Sequence, residues 1–254
     1  MRLIILGSGT SIPLSYRASP SMAIFMDDRP TLFDMGPGTL RQLARIGISH
    51  DRIKHIYISH FHPDHTADLI HFLFVTQNPE ILDKRDSFTI KGPVGIKEFV
   101  KNLQKTYRQW LDIPPKIMKI DELEITCPDK KEYKGYSVLS RPTNHSMGSL
   151  AFRINTREGK NFVYSGDTEL CDGILKLARN SDLLILECAF PESRPGKGHL
   201  TPSQAGSIAD EANAKKLLLI HFYPEALATD ISEDCRKTYK GELILGRDLL
   251  RIEI

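Results

Sequence analysis

Ser59-His60-Phe61-His62-Pro63-Asp64-His65 is the stretch that decides the fold. His60, His62, Asp64 and His65 all carry side chains that bind divalent metal ions. The run before them, Ile53-Lys54-His55-Ile56-Tyr57-Ile58, has the β-branched and aromatic content of a buried strand. His60 leaves the end of that strand. An extended backbone aims His62, two positions on, the same way. Asp64 and His65 follow on a turn led by Pro63, at the mouth of the next helix. So many ligands this close can hardly all serve one tetrahedral ion. Spread over two ions about 3.5–4 Å apart, the arrangement makes sense.

Working outward, three more candidates sit at the ends of predicted strands. His145 lies in Asn144-His145-Ser146-Met147-Gly148, between strands over residues 136–141 and 149–154. Asp167 lies in Gly166-Asp167-Thr168, after a strand over 161–165. His221 ends a strand over 215–220. Ligands at strand ends facing one crevice are the expected layout of layered α/β folds. The set divides into two balanced shells. His60, His62 and His145 hold one ion, Asp64, His65 and His221 hold the other, and the Asp167 carboxylate bridges. Water between two such ions has its pKa brought near neutrality and becomes a nucleophile. Singly, each of these residues reads as an ordinary polar or turn residue, and His50, His55 and His71 are left in that role. The dense cluster is what recruits the distant three.

The rest of the chain supplies layers around this site. Residues 2–6 read as a strand broken at Gly7-Ser8-Gly9-Thr10. That turn lacks the third glycine of a dinucleotide fingerprint and reads as a loop lining the site. Residues 21–26 and 31–34 read as a hairpin around Asp27-Asp28-Arg29-Pro30. A helix covers 39–46, ended by Gly47. A broadly apolar helix runs from His65 to about Gln77 and is either well buried or partly an interface. It stops at Asn78-Pro79. A strand at 87–91, a helix at 94–111 and a strand region at 117–125 follow. The charged segment 128–135 reads as a loop and as the seam between two halves. Later, residues 174–178 are helical and 183–186 form a buried strand. Thr201-Pro202-Ser203-Gln204 opens a capped helix that runs to about Ala212. Residues 243–254 give one or two strands. Each half passes from strands to alternating strands and helices, which predicts two similar layers of β and α.

With 254 residues the chain removes roughly 70–75% of its unfolded surface on folding, and it reads as one domain over residues 1–254. Its 41% hydrophobic and 26% charged residues argue against disorder and transmembrane spans. The apolar run after Met1 is short and reads as a core strand, not a signal peptide. A net charge of +2 gives no broad basic field, so a grip on long RNA through phosphates is unsupported by charge, while small anionic substrates are compatible. Cys127, Cys171, Cys188 and Cys235 are widely spaced, with no Cys-x-x-Cys pair. They make neither a disulfide framework nor a thiolate zinc site, and a reducing cytoplasm is the default.

His60-Phe61-His62-Pro63-Asp64-His65 resembles the signature of the metallo-β-lactamase superfamily, and His145, Asp167 and His221 match its later ligand positions in order. The resemblance covers nearly the whole chain and implies an αββα sandwich of two similar halves, an α/β fold. Leu32-Phe33-Asp34-Met35-Gly36-Pro37-Gly38 resembles the family's early Asp-x-Gly turn, which implies a structural Asp34 holding the loop below the metals. Within the superfamily, Gly7-Ser8-Gly9-Thr10, Ser59 before the cluster, Glu187-Cys188-Ala189-Phe190 and Gly198-His199-Leu200-Thr201 resemble the ribonuclease Z-like branch. That likeness implies that His199 stabilises developing charge or protonates the leaving oxygen, with Glu187 as its orienting partner. Two departures stand out. The stretch between His145 and Asp167 has room for two strands but not for the long flexible arm of bacterial tRNA-processing members. Thr66-Ala67-Asp68-Leu69-Ile70-His71-Phe72 replaces the usual Gly- and Leu-rich segment.

The expected protein is a hydrolase with two divalent metal ions, Zn²⁺ first and Mn²⁺ or Fe²⁺ as alternatives. It cleaves a phosphodiester with Asp64, His199 and Glu187 assisting the metal ligands. The same ligands would serve a thioester, lactone or sulfate ester, and a tRNA 3′-end endonuclease is a further alternative. The substrate is a small anion or a phosphodiester, no membrane is involved, and the apolar helix from His65 suits a homodimer. A redox protein is disfavoured, because those relatives replace an early His by a carboxylate and append a flavin domain.

Overall fold

The computed structural model describes residues 1–26 and 29–254. β1 (Arg2–Gly7), β2 (Ser21–Phe25), β3 (Thr31–Phe33), β4 (His55–Tyr57), β5 (Phe88–Pro93) and β6 (Met118–Leu123) lie side by side in chain order. A second sheet runs β7 (Asp129–Glu132), β8 (Tyr136–Pro142), β9 (Leu150–Thr156), β10 (Asn161–Tyr164), β11 (Leu183–Glu187), β12 (Lys216–Ile220) and β13 (Glu242–Leu245), again in chain order. The last strand, β14 (Arg251–Glu253), returns to the first sheet and pairs with β1. Both sheets follow one plan. An antiparallel meander, β1-β2-β3 or β7-β8-β9-β10, gives way to parallel strands, β4-β5-β6 or β11-β12-β13. These are the two similar halves that the sequence predicts.

Alternation along the strands builds the layers. Leu3 and Ile5, Phe162 and Tyr164, Leu183 and Ile185, and Leu218 and Ile220 point between the sheets into one shared core. Their neighbours Ile4 and Leu6, Val163, Leu184 and Leu186, and Leu217 and Leu219 point to the outer helical layers. Strands covered on both faces read as continuous apolar runs, which is why β11 and β12 carry almost no polar residue. At the centre Phe33 stacks on Tyr57 at 4.9 Å between ring centroids, with Phe152, Phe162 and Tyr164 edge-on to Phe33. Helices α1 (Thr39–Arg45), α2 (Pro63–Thr66), α3 (Asp68–Thr76), α4 (Pro79–Leu82) and α5 (Ile96–Tyr107) follow from the first half, α3 and α5 with their apolar faces on its sheet. α6 (Asp172–Ala178), α7 (Pro202–Glu211), α8 (Pro224–Leu227) and α9 (Ile231–Arg236) cover the second. Among the described residues no helix is long and apolar enough to cross a membrane.

The differences from expectation are local. The helix predicted from His65 begins at Pro63 and is interrupted at Ala67. The Asp68 amide is diverted to the Met35 carbonyl (3.0 Å), while the Met35 amide donates to the His65 carbonyl (2.8 Å). Gly36 makes this crossing feasible, since a Cβ there would sit 2.0 Å from the Asp64 carbonyl oxygen. The segment predicted as a charged seam loop contains β7, an edge strand whose charged side chains alternate outward and discourage further pairing. Asn78, expected only to stop a helix, also caps α4 by accepting from the Glu80 amide at 3.0 Å. α8 and α9 are too short to leave a periodic signal. The predicted hairpin pairs as β2 with β3. Asp27 and Asp28 of its turn lie outside the described residues.

Candidate metal centre

Each side chain of the cluster reaches one crevice because its strand ends there. β4 gives out at Tyr57, and Ile58 continues the ladder to the Lys91 carbonyl (2.7 Å). The Ser59 carbonyl then accepts from the Leu150 amide of β9 (3.0 Å), which joins the two sheets immediately before His60. Pro63 starts α2, so Asp64 and His65 sit in its first turn. β12 ends at His221, held in the left-handed region (φ 61°) by hydrogen bonds from the His221 and Phe222 amides to the Ser8 carbonyl (3.0 and 3.3 Å). The Gly7-Ser8-Gly9-Thr10 loop therefore supports the site from below rather than cradling a cofactor phosphate.

The metal-capable atoms of His60, His62, His145 and Asp167 lie within 4.8 Å of one another, and so do those of Asp64, His65 and His221. Asp167 divides its oxygens between the two groups. Oδ2 is 3.8 Å from His60 Nε2 and 3.6 Å from His145 Nε2, while Oδ1 is 3.3 Å from His65 Nε2 and 3.5 Å from His221 Nε2. His62 Nδ1 faces His145 Nε2 at 3.1 Å. His221 Nε2 is also 3.5 Å from Asp64 Oδ2. His60, His65, Asp167 and His221 are nearly inaccessible, at 1%, 0%, 3% and 2% exposure. His60 Nε2, His65 Nε2, Asp167 Oδ1 and His221 Nε2 are buried without a hydrogen-bond partner. Buried polar atoms without partners are unfavourable, so several aimed at one point fit a bound cation, and the N/O donor set fits divalent ions.

A ring of contacts behind these side chains fixes which nitrogen faces inward. Asp34 is fully buried and accepts from the Ser59 amide (2.7 Å), Ser59 Oγ (2.8 Å), His65 Nδ1 (2.8 Å) and Tyr164 Oη (2.6 Å). Its backbone too is left-handed (φ 58°). Ser59 Oγ also lies 3.0 Å from His60 Nδ1. The Gly198 carbonyl accepts from His145 Nδ1 at 2.8 Å, which turns Nε2 to the centre. His199 Nδ1 donates to Glu187 Oε1 at 2.8 Å and lies 4.0 Å from Asp167 Oδ2. Glu187 also accepts from the Thr168 and Ala189 amides (3.2 and 2.9 Å).

Burial shapes the charges. It pushes His60 well below its usual pKa, helped by neighbouring imidazoles. Burial also opposes a charged His65, but the carboxylates of Asp167 and Asp34 outweigh it and hold that pKa well up. Burial alone would raise Asp167, yet His221 and His65 keep its carboxyl well below the ordinary range. Burial raises Glu187, with the bond from His199 opposing it. Burial works against a charged His199 as well, and the bond to Glu187 reverses the balance and lifts it.

All the candidate ligands read from the sequence come together here, with His199 and Glu187 paired at their edge. His50 and His71 line a separate groove and take no part. Sequence reasoning missed Tyr164, which looks like any core strand aromatic until its hydroxyl is seen on Asp34. It also missed Glu169, which no motif marks. A cavity of about 520 Å³ lies between α3 and the 3-10 turn Arg108–Leu111, lined by Ile70, His71, Phe74, Tyr107 and Trp110. It contains none of the converging side chains.

Two sheets sandwiched between helices, with a histidine and carboxylate centre at the strand ends, define a divalent-metal protein of the metallo-β-lactamase fold. The chain belongs to the family described as the beta-lactamase superfamily domain, which matches residues 29–222. It is similar to ribonuclease Z of Thermoplasma acidophilum, with 27% identity over 100% of this chain and 96% of that protein. Ribonuclease Z of Pyrococcus horikoshii is likewise 27% identical, over 100% and 96%. Among solved structures, the short form of human tRNase Z superimposes with a TM-score of 0.82 at 25% identity, covering 100% of this chain and 99% of that one. The metallo-beta-lactamase fold protein YhfI from Bacillus subtilis gives 0.85 at 23% identity, over 99% and 98%.

Proposed function

We propose that this chain is a metal-dependent phosphodiesterase resembling ribonuclease Z, working with two divalent ions, Zn²⁺ first by the chemistry of its ligands. His60, His62 and His145 hold one ion, Asp64, His65 and His221 the other, and Asp167 both. The observation that carries this reading is the division of the Asp167 oxygens between two sets of imidazoles, most of them buried. When bound, the ions supply an activated water and neutralise the phosphate oxygens. The residues of the chain do the rest. Asp64 accepts a hydrogen bond from the attacking water and orients it. His199 gives the proton on Nε2 to the leaving oxygen, and Glu187, bonded to Nδ1, keeps the ring in that tautomer and orientation. Asp34 and Gly198 hold His65 and His145 with Nε2 inward.

Zinc content by emission spectroscopy and turnover of bis(p-nitrophenyl) phosphate test the reading together. His62→Ala drops the metal from two equivalents towards one, with activity falling roughly 100-fold or more. His199→Ala keeps both metals and loses roughly 10²–10⁴-fold in rate. Full activity in the first variant refutes the assignment, and metal loss in the second makes His199 a ligand.

The relatives named ribonuclease Z favour RNA among phosphodiester substrates. Salt-dependent binding of tRNA precursors separates that from a small anionic substrate. We take residues 1–254 as one functional unit, since each ion draws ligands from both sheets. A reducing cytoplasm suits its four free cysteines. A second copy of the chain is the partner we assign to the apolar face of α3.

A further inference from the structure

The segment after Asp167 joins three loops that the chemistry needs in register. Thr168 gives its amide to Glu187 (3.2 Å), the residue that holds His199. The next residue, Glu169, has no place among the metal-capable groups, and among the described residues it makes no ion pair. Its carboxylate is spent on two loops instead. Oε1 accepts from the Gly198 amide at 2.6 Å, and Oε2 accepts from Asn144 Nδ2 at 2.7 Å. The Glu169 amide completes the link by donating to the Asn144 carbonyl at 2.8 Å. Charge-assisted bonds of this length are among the stronger ones a loop can make.

The two loops thus tied carry His145 and His199. Gly198 is the pivot between them. Its carbonyl accepts from His145 Nδ1, its amide is held by Glu169, and the next residue is His199. It sits in the left-handed region (φ 82°), and a Cβ there would lie 2.8 Å from His145 Nδ1. Glu169 holds the Lys197–Gly198 peptide by its N–H, and His145 meets the next peptide at the Gly198 carbonyl, so the two planes turn on φ and ψ of Gly198 alone. With the N–H released those angles can change, and the orientation of His145 and the placement of His199 change with them. A cavity of about 360 Å³ borders this joint, lined by Glu169, Leu170, Lys197, His199 and Gln204, so the joint has room to move on that side.

We propose that Glu169 is a positioning residue that sets a metal ligand and the proton donor together, through the single residue Gly198. The proposal rests on the reading of His145 as a ligand and His199 as the donor. It predicts a paired defect that a general packing role would not produce. In Glu169→Ala, the zinc held by His60, His62 and His145 binds roughly tenfold more weakly, and the zinc held by Asp64, His65 and His221 is unchanged. In the same variant kcat falls roughly 10–100-fold with KM unchanged. The fall is larger for a phenyl than for a p-nitrophenyl leaving group, because the better leaving group has less need of His199.

Zinc affinities come from chelator competition, which reads two sites separately and needs no turnover. The kinetics come from the zinc-loaded full chain with the two aryl phosphodiesters. Wild-type zinc affinity at both sites in Glu169→Ala overturns the proposal, as does equal weakening of both. Should the wild type hydrolyse neither ester, the phosphodiesterase reading fails, and the zinc titration still judges Glu169. Where the alanine variant does not fold, Glu169→Met takes its place. It keeps the length of the side chain but offers no acceptor to the Gly198 amide or to Asn144, so both defects should persist at roughly tenfold. Wild-type values in that variant would likewise refute the assignment.

Discussion

At the scale of single residues, the centre separates groups that can touch a metal from groups that decide how they do so. Asp34 is the clearest of the second kind. It faces four donors on three elements, and only a carboxylate accepts them all. Asp34→Asn replaces one acceptor oxygen by an NH₂ directed at donors. His65 then loses the partner that keeps Nε2 inward, so zinc affinity should fall roughly 10–100-fold. Tyr164→Phe removes one donor and leaves the carboxylate in place, at about 1.5–3 kcal/mol of stability with zinc retained. Chelator competition and thermal melting on the two variants check the contrast. Equal zinc affinity in Asp34→Asn and wild type would reduce Asp34 to a loop anchor. The candidate ligand positions were legible because imidazole and carboxylate crowd into a few residues at a strand end. The role of Asp34 was legible only through the Asp-x-Gly resemblance. Tyr164 and Glu169 were not, because each acts through contacts across many intervening residues, which composition and spacing do not encode.

At the scale of elements, apolar runs did most of the work. Residues 2–6, 161–165, 183–186 and 215–220 each show the pattern of a strand covered on both faces, and each is one. What such runs miss is an element held by something other than its own pattern. β7 is a strand because β8 lies beside it, and its four residues are all charged. The break at Ala67 exists because the Met35 carbonyl competes for the Asp68 amide. The apolar helix after the cluster was left open between core and interface, and α3 is buried along one side only. Leu69, Phe72 and Leu73 are buried, while Phe74 stands 49% exposed beside Trp110 at 57%. Large exposed aromatics grouped at one groove mark association. On the proposal that a second copy covers this groove, the wild type should sediment as a dimer at micromolar concentration and the Phe74→Glu, Trp110→Glu double variant as a monomer, with zinc content unchanged. A wild-type monomer under those conditions removes the second copy from the assignment.

At the scale of the molecule, the two similar sheets matter because neither carries the centre alone. His60, His62, Asp64 and His65 follow the end of β4 in the first half, and His145, Asp167 and His221 follow strand ends of the second. The sequence made the halves visible, but not that β14 crosses back to seal the first sheet, since three residues at a chain end carry little pattern. Ions bound across the crevice stabilise the folded state only, by mass action. With free zinc at a thousandfold its dissociation constant, one site adds about 4 kcal/mol. In a chain of this size each kcal/mol moves Tm by about 2–4 °C, so a chelator that strips both sites should lower the melting temperature by roughly 15–30 °C. The loss should also be local in hydrogen exchange. Amides near His60, Asp167 and His221 gain exchange on zinc removal, because unneutralised Asp64 and Asp167 and the imidazoles facing them no longer share a cation. Amides of β7 and β14, at the sheet edges, keep their rates. A chelator that leaves Tm unchanged would mean that no ion joins the two halves, and a uniform rise in exchange would mean that the metal supports the fold in general and not this crevice.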